Sequence, residues 1–318
     1  MTYKKVKIFT HTDLDGYGCA LLTKLALGKD NVSADYCGYT NINEKVKSFI
    51  DKKKYNHFDF IFITDISVNE EIADLINNLN CRQKFILLDH HETAMFLNKY
   101  DWATVMIKDK SNIHTCGTDL TYCKLLELGL LNYKESINSL VINITRYDTW
   151  TWKTVYNDIH PKRLNDLFKI YGPERFCNIY IDRIQNLNGS FDLFTETDKF
   201  LLELEQEKIN TFIYKKLKNV EEKDIIIDGK TYKAGIIFAS EHISELGNVI
   251  CEEREDLDFA AIISDINTIS YRSIKTNIDL GGKIAKYYGG GGRPQTAGSQ
   301  ITTELKNQII DKIFGLNK

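Results

Sequence analysis

Two stretches of this chain carry residue types that could do chemistry. One is His11-Thr12-Asp13-Leu14-Asp15-Gly16, and the other is Leu87-Leu88-Asp89-His90-His91-Glu92. Imidazole and carboxylate together suit manganese, iron, zinc or cobalt better than calcium. Residues i and i+2 of an extended turn project the same way, so His11, Asp13 and Asp15 are expected to converge on one point. Gly16 and Gly18 would keep bulk away from that point and let the backbone approach a ligand. Two lone acids join them: Asp65 at the end of the apolar run 58–64, and Asp148 at the end of a helical pattern over 137–147. The helix dipole opposes an acid at a C-terminus. A bound cation would compensate Asp148, although the residue also suits an N-cap before Thr149.

The elements that must position these groups follow from the apolar spacing. Residues 6–10 read as a strand and 19–27 as a buried helix stopped by Gly28. Helical spacing recurs over 43–54, 69–79 and 118–128, and strands over 58–64 and 84–88. Strand, helix, strand, helix, strand implies a parallel sheet with helical crossovers. Ligands bind at the carboxyl ends of such strands, where His11, Asp65 and Asp89-His90-His91 would all fall. From Arg163 to about residue 231 the chain is charged and helical in pattern, overlapping a hairpin read over 224–238 with Asp228-Gly229 at its turn. A helix over 243–251, strands over 259–263 and 268–273 and a helix ending at Tyr288 complete a second unit. The expected fold class is α/β. It comprises an N-terminal parallel-sheet domain carrying the candidate metal ligands (1–185), a helical connector (186–229) and a smaller α/β domain (230–318).

In that second unit lies Gly289-Gly290-Gly291-Gly292-Arg293. Successive glycine amides can turn inward as an anion nest, here over Gly290, Gly291 and Gly292, while Arg293 and Arg272 offer charge-assisted bonds to phosphate. His57, His114, His160 and His242 read as ordinary residues without partners, and the tryptophans as core.

Composition bounds the function. A net charge of −3 gives no strong basic field for long duplex nucleic acid. There is no apolar run long enough for a transmembrane helix and no signal-peptide pattern. Seven cysteines, scattered and odd in number, form no Cys-x-x-Cys pair. A reducing, cytoplasmic setting is therefore expected, and no zinc ribbon or disulfide framework.

His11-x-Asp13-x-Asp15-Gly16, Asp65, Asp89-His90-His91 and Asp148 in that order resemble the four motifs of the DHH phosphoesterase superfamily, and residues 289–298 resemble the signature of its associated C-terminal domain. The wording around them is most similar to the nanoRNase B type oligoribonucleases, shorter relatives of the RecJ exonucleases. The resemblance implies two manganese ions. Asp65 would bridge them, with His11 and Asp13 on the first-metal side and Asp15, His90 and Asp148 on the second. Asp89 would be a nearby ligand or orient a histidine, and His91 would contact the scissile phosphate or protonate the leaving oxygen. It also implies hydrolysis of short single-stranded oligonucleotides, with Tyr271, Tyr287 or Tyr288 available to stack on a base, or alternatively of a cyclic nucleotide, a cyclic dinucleotide or a 3′,5′-bisphosphate nucleotide. A homodimer is allowed and a membrane is not expected. One departure is Arg293, where the family signature usually carries histidine; arginine keeps a phosphate donor but does not titrate near neutrality.

Overall fold

A computed structural model describes residues 4–186, 192–264 and 267–315. The elements in order are β1 (Val6–Thr10), α1 (Leu14–Leu27), β2 (Val32–Tyr36), α2 (Ile42–Asp51), β3 (Phe60–Thr64), α3 (Glu70–Asn77), β4 (Phe85–Asp89), β5 (Ala103–Val105), α4 (Gly117–Glu127), α5 (Glu135–Asp148), the short α6 (Thr151–Thr154), α7 (His160–Tyr171), α8 (Pro173–Gln185) and α9 (Glu196–Leu217). There follow β6 (Glu221–Ile227), β7 (Lys230–Phe238), α10 (Ile243–Glu253), β8 (Phe259–Ser264), β9 (Thr268–Arg272), a π-helical turn (Leu280–Ala285), β10 (Gly291–Arg293), β11 (Thr296–Gln300) and α11 (Thr303–Phe314). The chain divides into two compact units at Leu202/Glu203, inside α9. No described helix is long and apolar enough to cross a membrane.

The first unit is a five-stranded parallel sheet in the order β2-β1-β3-β4-β5. Successive side chains of a strand point to opposite faces, and both faces here are apolar. Ile8 and Phe62 join α1, α4, α5, α7 and α8 in one core, while Phe9, Ile61, Ile63 and Leu87 join α2 and α3 in another. Burial of each such side chain contributes about 1.5–3 kcal/mol, so the sheet is held from both sides. Its register matters for function. Thr10 pairs with Thr64, and Thr64 with Leu88. The next residue on each strand therefore emerges at one level on three neighbouring strands, and these residues are His11, Asp65 and Asp89. The hydroxyls of Thr64 and Thr10 lock that edge at 2.9 Å. β2 and β5 escape the sequence reading because one is a half-exposed strand beside β1 and the other has three residues.

The second unit is a six-stranded mixed sheet, β10-β11-β9-β8-β7-β6. The hairpin β6–β7 turns at Asp228-Gly229 with both residues at positive φ (49° and 77°), as a two-residue hairpin favours. α10 packs over one face through Leu246, Ile250 and Cys251. Residues 221–231, the end of the stretch expected to be helical, lie in this hairpin instead.

Candidate metal centre

The turn after β1 differs from the extended segment expected. Asp13 is the N-cap of α1, its Oδ1 accepting the Gly16 amide at 3.1 Å, so Asp15 already lies in the first helical turn. Convergence still occurs, by another route. Asp15 is 2% exposed, and its two carboxylate oxygens accept the amides of Gly117 (2.6 Å) and Thr118 (2.7 Å) at the N-terminus of α4. A helix N-terminus presents unpaired N–H groups and partial positive charge, and here it holds a side chain rather than a ligand.

Asp65 follows β3 in the left-handed region (φ 56°), strained for most L-residues but tolerated by Asp. Its Oδ1 is 3.3 Å from His90 Nε2, and its Oδ2 is 3.9 Å from His11 Nδ1. Gly117 makes the room: a Cβ there would sit 2.5 Å from Asp65 Cβ and 3.0 Å from Asp15 Oδ2. His90 Nε2 also lies 3.5 Å from Asp148 Oδ2 and 3.7 Å from Asp15 Oδ2. Asp148 is the last residue of α5, and His11 Nδ1–H donates to Asp13 Oδ2 at 2.8 Å.

Asp89 has a different setting. It is 1% exposed, and its Oδ1 accepts the His90 amide at 2.8 Å and His91 Nδ1–H at 2.7 Å, while the Ser67 hydroxyl donates to its Oδ2. Burial would raise its carboxyl, but the His91 and Ser67 bonds outweigh burial and hold it below the usual value. On its other side His91 meets Tyr39, whose hydroxyl is 3.2 Å from Nε2. The bond to Asp89 raises the His91 pKa against burial.

The electrostatics of the remaining groups point to a cation. Burial first, then the charges of Asp15 and Asp13, raise Asp65 well above the usual carboxylate range. The same causes push Asp148 up to about 8. Burial lowers His90, outweighing the pull of Asp15. Acids that resist ionising and an imidazole that resists protonation mark a cluster short of positive charge. Asp65 Oδ2 is buried without a hydrogen-bond partner, which a buried carboxylate oxygen ordinarily avoids. Ligand atoms group within 4.8 Å of one another in three sets: His11/Asp13/Asp65, Asp15/His90/Asp148 and Asp65/Asp89/His90/His91. These donors fit a hard-to-borderline divalent ion.

Sequence reasoning missed Tyr39, Ser67 and the Gly117-Thr118 amides. Gly117 opening a helix is the one local signal among them. Contrary to expectation, His160 has a partner, Asp158, at 2.6 Å, the His242 ring packs edge-on against Phe212 with centroids 5.5 Å apart, and Trp150 is 49% exposed rather than core.

In the second unit, Gly291–Arg293 is a strand rather than an open nest. The Gly289 and Gly290 amides donate back to Lys286 and Ala285 (3.0 and 2.7 Å), so they close the preceding helix. Gly290 also lies against β11, where a Cβ would fall 2.0 Å from the Gly298 carbonyl oxygen. Arg293 pairs with Thr296 and Thr296 with Arg272, so both arginines occupy one cross-strand row on one face of the sheet. Arg272 donates to the Ser244 hydroxyl at 2.9 Å, and burial lowers its pKa. Tyr271 is 2% exposed and bonds Ser299, so it cannot receive a base; Tyr287 and Tyr288 are 55% and 41% exposed.

A parallel sheet whose strand ends bring these acids and imidazoles together, with a mixed-sheet unit behind it in sequence, is the plan of the DHH family, and the comparisons agree. Residues 5–144 match the DHH family, N-terminal domain. The chain belongs to that family and is a hydrolase of phosphodiester bonds. It is 34% identical over 313 residues to oligoribonuclease NrnB of Bacillus subtilis (strain 168), covering 98% of this chain and 76% of that protein. Two solved structures share the fold. RecJ of Thermus thermophilus in complex with Mn2+ has a TM-score of 0.54 at 15% identity, over 98% of this chain and 52% of that one. Exonuclease RecJ bound to manganese has a TM-score of 0.51 at 15% identity, over 98% and 89%.

Proposed function

We propose that this chain is a manganese-dependent phosphodiesterase that hydrolyses short oligonucleotides (nanoRNA) to mononucleotides. The observation that carries the reading is Asp65, whose two oxygens face two different ligand groups, Oδ1 toward His90 and Oδ2 toward His11. That is the disposition of a bridging carboxylate. The name of the Bacillus relative supports the substrate class.

His11, Asp13 and Asp65 would hold one ion, and Asp65, Asp15, His90 and Asp148 the other. Such a pair supplies an attacking oxygen at neutral pH and charge compensation on both sides of an in-line displacement at phosphorus. The chain's own groups do the rest. Both Asp15 oxygens are oriented by peptide amides, which fixes their remaining lone pairs. Asp89, saturated by His91, Ser67 and a backbone amide, positions His91 rather than serving as a ligand. His91, held between Asp89 and Tyr39 and favoured in its protonated form, would bond the scissile phosphate and return a proton to the leaving oxygen. In the second unit the Arg272/Arg293 row would take a substrate phosphate, with Gly291 and Gly292 allowing close approach and Tyr287 or Tyr288 stacking on a base.

The test is purified protein with manganese and an end-labelled five-nucleotide RNA, run beside DNA of the same length and cyclic nucleotides. Stepwise release of mononucleotides from the RNA is expected. An RNA left intact while a cyclic nucleotide is opened would overturn the substrate assignment.

A further inference from the structure

A cavity of about 430 Å3 lies in the first unit among the 109–115 loop, α4, α5 and α6. That is large enough for a nucleoside. Its walls are of two kinds. Ile113, Ile142, Val155 and Tyr156 are apolar and 37–66% exposed, an unusual concentration of large apolar side chains around one opening. Asp119 on α4 and Asn138 on α5 supply polar groups from different helices. Burial, then the charges of Asp15 and Asp109, raise the Asp119 carboxyl to about 6, and no hydrogen bond within the described residues offsets this. A desolvated carboxylate facing a cavity without a donor asks for one from a ligand.

The place is tied to the reaction centre through the backbone. Asp119 follows directly on Gly117-Thr118, whose amides hold Asp15. Thr145, another wall residue, precedes Asp148 by three positions on α5 and so shares its side of the helix.

We propose that this cavity is a base subsite that takes guanine from the substrate. The aliphatic side chains of Ile113, Ile142 and Val155 and the ring of Tyr156, one face of which the Arg146 guanidinium covers at 3.9 Å, can bracket a base plane. A carboxylate accepts two bonds at once from the adjacent N1–H and N2–H of guanine, and the Asn138 amide can donate to O6. Adenine offers a carboxylate one donor beside an acceptor, cytosine likewise, and uracil one donor between two acceptors. The inference rests on the oligonucleotide reading above and sharpens it.

The test compares kcat/KM of the full chain, with manganese, on GpG, ApA, CpC and UpU, beside thermal shifts with GMP and AMP. The wild type is expected to prefer GpG. Asp119→Asn, nearly isosteric and therefore foldable, should lose about tenfold to a hundredfold on GpG, stay within about twofold on ApA and UpU, and lose the GMP-specific shift. Asn138→Ala should move the same substrate by less. Equal rates on all four dinucleotides in the wild type, or an equal loss on all four in Asp119→Asn, would overturn the subsite. Failure to cleave any dinucleotide, with the GMP shift present and abolished by Asp119→Asn, would instead sink the short-oligonucleotide reading and leave the pocket standing.

Discussion

The two places that handle phosphate in this reading are built in opposite ways. At the edge of the parallel sheet, Asp15, Asp65 and Asp89 are each 1–2% exposed, and Asp15 and Asp89 are bonded on both oxygens. On the mixed sheet, Arg293 is exposed on a three-residue strand and only Arg272 is tethered. Buried, mutually constrained groups give the geometry that bond-making needs. An exposed arginine on a long stem, beside a half-buried one, gives adaptable binding. Substitutions should therefore act on rate in the first unit and on apparent affinity in the second.

The sharpest way to break this contrast is Asp65→Asn, which keeps shape and removes the charge facing both ligand groups. A loss in kcat of about a thousandfold or more is expected, with the circular dichroism spectrum unchanged. A rate within tenfold of wild type would end the bridging assignment. Gly117→Ala keeps every candidate ligand residue yet puts a methyl 2.5 Å from Asp65 Cβ, so Asp65 must shift. It should cost about a hundredfold in kcat and lower Tm through about 1–3 kcal/mol of overpacking, measured by single-turnover kinetics and calorimetry. Arg293→Ala should raise KM about tenfold with kcat nearly unchanged, and Arg293→Lys should recover only part of it. A fall in kcat alone would place Arg293 with the first region instead.

The smallest effect concerns pH. His11 and His91 are raised above 6.5, and Asp65 and Asp148 are raised far above the ordinary carboxylate range. All four hold protons more tightly folded than unfolded, so each loses stabilisation as pH rises through its folded value. His90, lowered from 6.5, acts in the other direction only below that value. The chelator-treated protein should thus melt a few degrees lower at about pH 8.5 than at 6.5. Manganese should raise Tm more at the higher pH, because its ligands must be deprotonated. Scanning calorimetry at the two pH values decides it.

His11, Asp65, Asp89-His90-His91 and Asp148 were legible in the sequence because each lies at the end of a strand or helix with an apolar run before it, and a parallel sheet lines up strand ends; Asp13 and Asp15 instead open α1 and were legible from their spacing after His11. Asp65 and Asp89-His90-His91 needed nothing further. The support for Asp15 did not show, since Gly117 is 102 residues away and an amide carries no residue label. Tyr39 sits in a loop without periodicity. The glycine run misled for a related reason. Four glycines look like a free loop, yet pairing with β11 makes three residues of that stretch a strand and turns two amides back onto a helix. Tyr271 was offered for stacking because alternation says which residues share a face but not which face is covered.

The grip of α4 on Asp15 has a physiological corollary. Peptide amides aim both Asp15 oxygens, so on the two-ion reading this carboxylate is oriented before any ion arrives, and occupancy would rise and fall with the surrounding cation supply. Loading should resemble the filling of a finished socket, quick and reversible, and starvation for metal should leave dormant protein ready to be revived rather than debris for proteases.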